Sequence, residues 1–228
     1  MTDRVAVYSA IYGPYDSVKQ APKTEYPCYM YTDNPATAAR ADELGWIPRL
    51  VRHYIATVRG DPAVTGPMLA HKWWKCHPEI ACPGAAFSLW LDGSMEVLVT
   101  DYVDRCLTAL GDDDWAMVPH PARRCIYPEA TFSASLARYD SESILAQANF
   151  YRSIGHPSNY GLPATGANVR RHTAAVLEVG DQWWIECLNW SHQDQISLPV
   201  LQRINEGKVR FNYNLPWHLW WRLHHHGT

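Results

Sequence analysis

The stretch AFSLWLDGSMEV, residues 86–97, decides the fold class. Residues 86–91 are mostly apolar and have the length of a short buried strand, and the turn signal Asp92-Gly93-Ser94 ends that strand. The strand would therefore deliver the carboxylate of Asp92 into a tight glycine turn. Strands of this kind, with helices between them, would make an α/β protein.

The rest of the chain continues this alternation. Further strands are predicted at 4–11, 27–32, 46–51, 115–118 and 164–170. Helices are predicted at 66–79, 101–110, 128–138, 141–154 with Ser141 as N-cap, 174–187 and 192–204. The alternation in the first half predicts a mainly parallel central sheet flanked by helices. The chain has 228 residues and no linker-like segment, so a single domain over residues 1–228 is expected.

Composition narrows the class of partner and the compartment. The net charge of −3 provides no broad basic field, so nucleic acid is not the expected partner. The six cysteines form no CxxC pair and are expected to be mostly buried thiols in a reducing cytosol. The N-terminus lacks a signal-peptide pattern, and no run approaches the roughly 18 apolar residues of a membrane helix. A cytoplasmic location is therefore expected.

Polar residues follow several of the predicted strands. Tyr12, Asp33 and Asp92 come after apolar runs, and ligands of parallel sheets bind beyond the carboxyl ends of the strands. Asp92 and Ser94 offer oxygen atoms of the kind through which Mg²⁺ or Mn²⁺ bridges a carboxylate and a diphosphate. The alternative is an ordinary strand-ending Asp-Gly turn, which is very common.

Two later segments also combine chemically capable side chains. HPARRCIYPEA, residues 120–130, contains arginines that suit a diphosphate, although Arg123 and Glu129 could also form a surface pair. SHQDQISLPV, residues 191–200, begins a helix with Asp194. That carboxylate could orient an acceptor hydroxyl, or it could simply be a favourable acid in the first turn of the helix.

For three further residues, the sequence leaves two or more roles open. Lys72 and Lys75 lie on the helix before the Asp92 strand and could bind phosphate or face solvent. His224 belongs to a histidine-rich tail that could bind a metal, or that could be a tag remnant or a solvated terminus.

The motifs together resemble, in order and spacing, the glycosyltransferase family of the plant turgor-regulation-defect and mucilage-related proteins. The matching segments are YSAIYGPYD (8–16), YMYTDNP (29–35), GWIPRLV (45–51), HKWWKCHPE (71–79), SLWLDGS (88–94), VPHPARRCIYPEA (118–130), QANFYRSIGHP (147–157) and SHQDQISLPV (191–200). This resemblance covers roughly residues 5–200. It implies a GT-A (Rossmann-like) nucleotide-diphospho-sugar transferase fold, related to the retaining enzymes of glycosyltransferase family 8.

The resemblance also implies roles for single residues. Near the nucleoside it places Ala10, Tyr12 and Asp33. It makes Asp92, Ser94 and His224 ligands of Mn²⁺ (or Mg²⁺), and it turns Lys72 or Lys75 toward phosphate. At the sugar end of the cleft it places His120, Arg124 and Glu129. Asp194 and Gln195 would be the catalytic pair beside the reacting carbon, although Gln193 stands where the family carries arginine.

The function that follows is metal-dependent, retaining transfer of a sugar from a nucleotide diphosphate, by resemblance UDP, to a hydroxyl acceptor. The acceptor stays open between a glycan, a protein and a modified DNA base, and nucleic acid enters only in that last form. A metal-dependent amide hydrolase and a catalytically silent sugar- or nucleotide-binding module are the alternatives. Several tryptophans suit stacking on sugar faces, namely Trp73, Trp74, Trp183, Trp184 and Trp217.

Overall fold

The computed structural model describes residues 4–14, 16–52, 62–216 and 219–224, with the backbone alone at 62–65. A seven-stranded sheet with strand order β3-β2-β1-β4-β7-β6-β8 forms its centre. The strands of this sheet are β1 (Val5–Ala10), β2 (Cys28–Thr32), β3 (Ile47–Leu50), β4 (Phe87–Leu91), β6 (Trp115–Pro119), β7 (Pro163–Arg171) and β8 (Phe211–Asn212). The strands β5 (Met95–Val97) and β9 (Trp221–Leu223) pair separately. The predicted α/β class is confirmed.

Strand direction confirms a mainly parallel sheet and brings the site together. The strand β1 runs parallel to β2 and β4, whereas β7 runs antiparallel to both of its neighbours, β4 and β6. The carboxyl ends of β1, β4 and β6 therefore lie at the same edge of the sheet as the amino end of β7. The chain segments just beyond Ala10, Leu91 and Pro119 consequently meet the segment that begins at Pro163.

Helices cover both faces of the sheet. They are α1 (Pro35–Glu43), α2 (Pro62–Cys76), α3 (Pro78–Ala81), α4 (Tyr102–Leu110), α5 (Ile126–Ala134), α6 (Ser141–Ser153), α7 (Ala174–Asn189) and α8 (Asp194–Ile204). Because side chains alternate along a strand, β1 packs Val5 and Val7 into the cluster that includes α1 and α4. It packs Ala6 and Tyr8 into the cluster that includes α2. In the described part of the chain, no helix is long and apolar enough to cross a membrane.

Local capping explains where the sequence-based prediction differs from the structure. The helix α1 is not among the predicted helices, but the Asn34 side chain accepts hydrogen bonds from the backbone N–H groups of Ala36 and Thr37, and Pro35 fits the first turn. The predicted N-cap Ser141 is also wrong, because Asp140 caps α6 and Ser141 is its first helical residue. No strand is predicted beyond residue 204, yet β8 and β9 form there because neighbouring strands supply their hydrogen-bond partners.

Gly180 permits close packing between α7 and the end of α2. A Cβ atom at Gly180 would lie 2.3 Å from the carbonyl oxygen of Cys76, whereas a Cβ at Gly66, also within a helix, would meet no atom within 4 Å. We expect Gly180→Ala to lower the free energy of unfolding by about 2 kcal/mol or more, and Gly66→Ala to raise it by about 0.5 kcal/mol. Urea unfolding of both variants tests this, and equal effects would contradict the packing described.

Candidate active site

A cavity of about 360 Å³ opens at the edge of the sheet where the polar strand ends meet. Nine of the predicted site residues contribute to its lining: Ala10, Tyr12, Lys72, Asp92, Ser94, His120, Glu129, Asp194 and Gln195. They come from segments that are far apart in sequence, so the fold gathers them into one place. The resulting site has two polar clusters, one around Asp194 and one around Glu129.

The first cluster is a buried network of two lysines and two aspartates. Lys72 Nζ and Lys75 Nζ each lie 2.8 Å from Asp194 Oδ2, and Lys75 Nζ is also 3.2 Å from Asp92 Oδ1. Thr165 donates to Asp194 Oδ1 at 2.8 Å. The spacing of three residues places both lysines on one face of α2, which points toward the carboxylates. The Asp194 carboxylate also benefits from its place in the first turn of α8.

These contacts keep both carboxyl groups ionised. Burial alone would raise the pKa of Asp194, but Lys72 and Lys75 outweigh it and hold that pKa well below its usual range. The pKa of Asp92 is likewise lowered, because Lys75 and His71 outweigh the effect of burial. Burial would lower the pKa of Lys72, but Asp194 and Asp92 reverse this and raise it. Asp92, Asp194 and Lys72 are therefore charged at neutral pH.

His71 also belongs to this cluster, although the sequence did not single it out as a site residue. Its Nε2 lies 3.4 Å from Asp92 Oδ1, and its ring packs edge-on against Trp90 at 5.1 Å. Burial lowers the pKa of His71, so the ring is neutral at pH 7. Trp90 Nε1 donates to the same Asp92 oxygen at 2.6 Å. The spacing of His71 and Lys75, four residues apart on α2, was the available signal for their shared face.

The second cluster is centred on the buried carboxylate of Glu129. Ser133 Oγ and Gln193 Nε2 each donate to Glu129 Oε1 at 3.1 Å, and Arg123 pairs with Oε2. His120 Nε2 lies 3.5 Å from Oε2. Glu129 is only 2% exposed, so its partners replace the water that it loses. The pairing of Arg123 with Glu129 had been weighed as a surface contact, but it lies inside the cavity.

Gln193 links the second cluster to the predicted catalytic pair. Its amide nitrogen lies 2.8 Å from Ser133 Oγ and 3.3 Å from Gln195 Oε1. Gln195 Nε2 in turn donates to the carbonyl oxygen of Pro163 at 2.9 Å. These two contacts fix the orientation of the Gln195 amide at the cavity wall. Gln193 thus connects Glu129 and Ser133 to Gln195, a role that the sequence pattern did not predict.

Four of the predicted site residues lie away from the cavity lining. Asp33 and Arg124 are exposed, and Arg123 rather than Arg124 reaches the cavity. Lys75 lies buried behind the lining, where it contacts Asp92. His224 donates its backbone N–H to the carbonyl oxygen of Ser94 at 2.9 Å, but its side chain lies 2.8 Å from Glu96 Oε2. Trp217, one of the tryptophans expected to stack on a sugar, lies outside the described residues.

The surroundings of Asp92 suit a divalent cation that shares its ligands with a diphosphate. Among the described residues, no group of three His, Cys, Asp or Glu side chains able to hold a metal occurs. A Cβ at Gly166 would lie 3.2 Å from Asp92 Oδ2, so glycine keeps space open beside that oxygen. Mg²⁺ is commonly bound in this way, through one or two carboxylates together with substrate phosphates.

The buried ring of His192 is expected to make the stability of the fold dependent on pH. Burial and the nearby Lys72 lower the pKa of His192 to about 4, so the folded protein binds fewer protons than the unfolded chain between about pH 6.5 and 4. Stability should therefore fall as the pH decreases through this window, by up to about 1.4 kcal/mol per pH unit from this group. We expect the free energy of unfolding, measured in urea, to decrease less steeply with falling pH in His192→Gln than in the wild type. An unchanged slope, equal to that of the control His224→Gln, would contradict this.

A family match, a curated relative and a solved structure are all similar to this chain. The TOD1/MUCI70, glycosyltransferase-like domain matches residues 71–217, which is more than half of the chain. "Probable hexosyltransferase MUCI70" from Arabidopsis thaliana is 24% identical over 224 residues, spanning 87% of this chain but only 37% of that relative. The apo structure of the bifunctional glycosyltransferase WbbM has a TM-score of 0.50 and 11% identity, covering 93% of this chain and 39% of WbbM. The structural similarity supports a fold of the GT-A type.

The family match covers both polar clusters of the cavity, from His71 on α2 to Gln195 on α8. It confirms the predicted family, while the relation to glycosyltransferase family 8 stays a prediction. The chain belongs to the TOD1/MUCI70 family of glycosyltransferase-like domains.

Proposed function

We propose that this protein transfers a hexosyl group from a UDP-linked sugar to a hydroxyl acceptor, with retention of anomeric configuration and with the help of Mn²⁺ or Mg²⁺. The observation that carries the proposal is the buried network of Lys72, Lys75, Asp92 and Asp194 at the cavity. The lysines of this network provide fixed positive charge, which suits the phosphates of a donor. Its ionised carboxylates suit the sugar, which gains positive charge as its leaving group departs.

The state of Asp194 determines which chemical role it fits. A general base works best with a pKa near the working pH, but the pKa of Asp194 lies far below it because of Lys72 and Lys75. Its carboxylate therefore serves to stabilise positive charge on the sugar ring and to position its hydroxyls. Gln195 lies beside it with a fixed amide orientation. In the proposed step the bond from the anomeric carbon to phosphate breaks, the bond to the acceptor oxygen forms, and the acceptor proton passes to the diphosphate.

The charge balance of the cavity favours a cation as a component of the donor complex. Its lining carries the cations Lys72, Arg123 and Arg138 and the carboxylates Asp16, Asp92, Glu129 and Asp194. A diphosphate would add negative charge to a lining that has no surplus of positive charge. Asp92 would hold the cation through one oxygen, with Ser94 close by. When bound, such a cation neutralises charge on the leaving diphosphate.

An assay of UDP release tests this function. The protein would be incubated with UDP-glucose or UDP-galactose, once with MnCl₂ and once with EDTA. We expect slow hydrolysis of one of these donors in the presence of Mn²⁺, and at least a tenfold decrease on chelation. Chelation without effect would refute the role of the cation. Binding of UDP without any turnover would favour the silent sugar- or nucleotide-binding module. The amide-hydrolase alternative needs convergent metal ligands, and the described residues contain no group of three.

A further inference from the structure

The cavity has a wall to which the proposed donor chemistry assigns no specific contact. It consists of Phe132, Leu136, Arg138 and Tyr139, from the end of α5 and the segment that follows it, together with Arg123. We name these five residues the α5 wall. Building on the proposed function, we propose that the α5 wall binds the acceptor and that the acceptor is a saccharide.

The α5 wall alternates aromatic rings with guanidinium groups. The guanidinium of Arg123 lies 4.2 Å from the centre of the Phe132 ring, and that of Arg138 lies 5.0 Å from the centre of the Tyr139 ring. Phe132 is nevertheless 46% exposed, although it lines a cavity rich in polar groups. Stacking on an aromatic ring leaves the edge of a guanidinium able to donate hydrogen bonds. The wall therefore offers apolar faces and hydrogen-bond donors side by side.

A saccharide has the complementary surface. One face of a pyranose ring presents C–H groups, which pack on an aromatic ring, while its equatorial hydroxyls point outward toward polar partners. An extended peptide instead binds best along a free strand edge, through its backbone hydrogen bonds. The α5 wall is built from side chains of a helix and the following turn, so it provides no such edge. A sugar hydroxyl is thus the acceptor that this surface favours over a peptide hydroxyl.

The position of the wall also suits an acceptor. Arg123 and Ser133 both contact Glu129, and Gln193 connects that carboxylate to Gln195. The α5 wall therefore adjoins the Glu129 cluster, which Gln193 connects to Gln195. An acceptor seated there would approach the reacting carbon from the side of Gln195, as transfer requires.

Phe132 and Phe150 form a matched pair for testing the proposal. Phe150 on α6 is 43% exposed, similar to Phe132, and it stacks on Trp190 with ring centres 5.3 Å apart, outside the cavity lining. Transfer would be measured with the methyl glycosides of glucose, galactose, mannose and xylose as probes, and with a mixture of serine- and threonine-containing peptides. The donor would be the UDP-hexose that the wild-type protein hydrolyses.

We expect the wild type to glycosylate at least one methyl glycoside in preference to the peptides. Phe132→Ala should raise the KM for that glycoside about tenfold, Phe132→Trp should restore it, and Phe150→Ala should leave it unchanged. Preferential transfer to peptides, or equal effects of the two alanine variants, would overturn the acceptor assignment while donor hydrolysis still supports the proposed function. A wild type that neither hydrolyses a donor nor transfers from it would overturn both.

Discussion

Replacing Lys75 with methionine is expected to lower the free energy of unfolding by about 3–5 kcal/mol. The ammonium group of Lys75 is fully buried and lies between Asp92 Oδ1 at 3.2 Å and Asp194 Oδ2 at 2.8 Å. Methionine keeps the approximate length of the side chain but removes the charge, so the buried Asp194 carboxylate would retain Lys72 as its cationic partner and the partly buried Asp92 carboxylate would lose its contact with an ammonium group. Urea unfolding monitored by circular dichroism measures the change.

An exposed ion pair provides the control for this substitution. Arg40 pairs with Glu43 at 2.7 Å, but its side chain is 58% exposed, and such surface pairs contribute at most about 1 kcal/mol. Arg40→Met should therefore unfold at nearly the wild-type urea concentration. If Lys75→Met were destabilised no more than Arg40→Met, the buried network would contribute no more to the free energy of unfolding than an exposed ion pair does.

The substitution Asp194→Asn is expected to decrease kcat by about 10²- to 10³-fold, with a smaller change in the KM for the donor. Asparagine has nearly the same shape, so the loss would report the negative charge that the proposed function places beside the sugar. The variant also leaves Lys72 and Lys75 with one carboxylate fewer. Rates must therefore be compared at a temperature at which circular dichroism shows both proteins to be folded.

Asp181→Asn is the matched control for Asp194→Asn. Asp181 lies on α7 with its side chain 66% exposed and 3.5 Å from His77, outside the cavity lining. Its kcat should equal that of the wild type. An Asp194→Asn variant that keeps kcat within twofold of the wild-type value would contradict the catalytic role proposed for this carboxylate.

Most of the central sheet could be predicted from the sequence because its strands are buried apolar runs. The segments of β1, β4 and β6 carry this signal without help from other parts of the chain. The strand β9 could not be predicted in the same way, because it is only three residues long and depends on its pairing with β5 and on the burial of Trp221 in the core. The helix α1 was missed for a different reason: Asn34-Pro35 signals a turn as well as a capped helix start.

The residues of the candidate site also differ in whether the sequence could predict them. Asp92 and Asp194 could be identified because each stands at the end of a strand or the start of a helix, where a carboxylate reaches the cavity. The choice between Arg123 and Arg124 depends on the path of the chain into α5, which the sequence pattern did not resolve. Likewise, the burial of Lys75 between two carboxylates depends on how α2 packs against the sheet, and it became visible only in three dimensions.

Nucleotide binding tests the central claim most directly. The thermal stability of the protein would be measured with UDP, GDP and CDP, each with and without Mn²⁺, for the wild type and for Asp92→Asn. We expect UDP with Mn²⁺ to stabilise the wild type by about 2.7 kcal/mol at a nucleotide concentration about 100 times Kd, and to stabilise Asp92→Asn much less. If none of the three nucleotides stabilised the wild type, with or without the metal, the cavity would not be a nucleotide-sugar site.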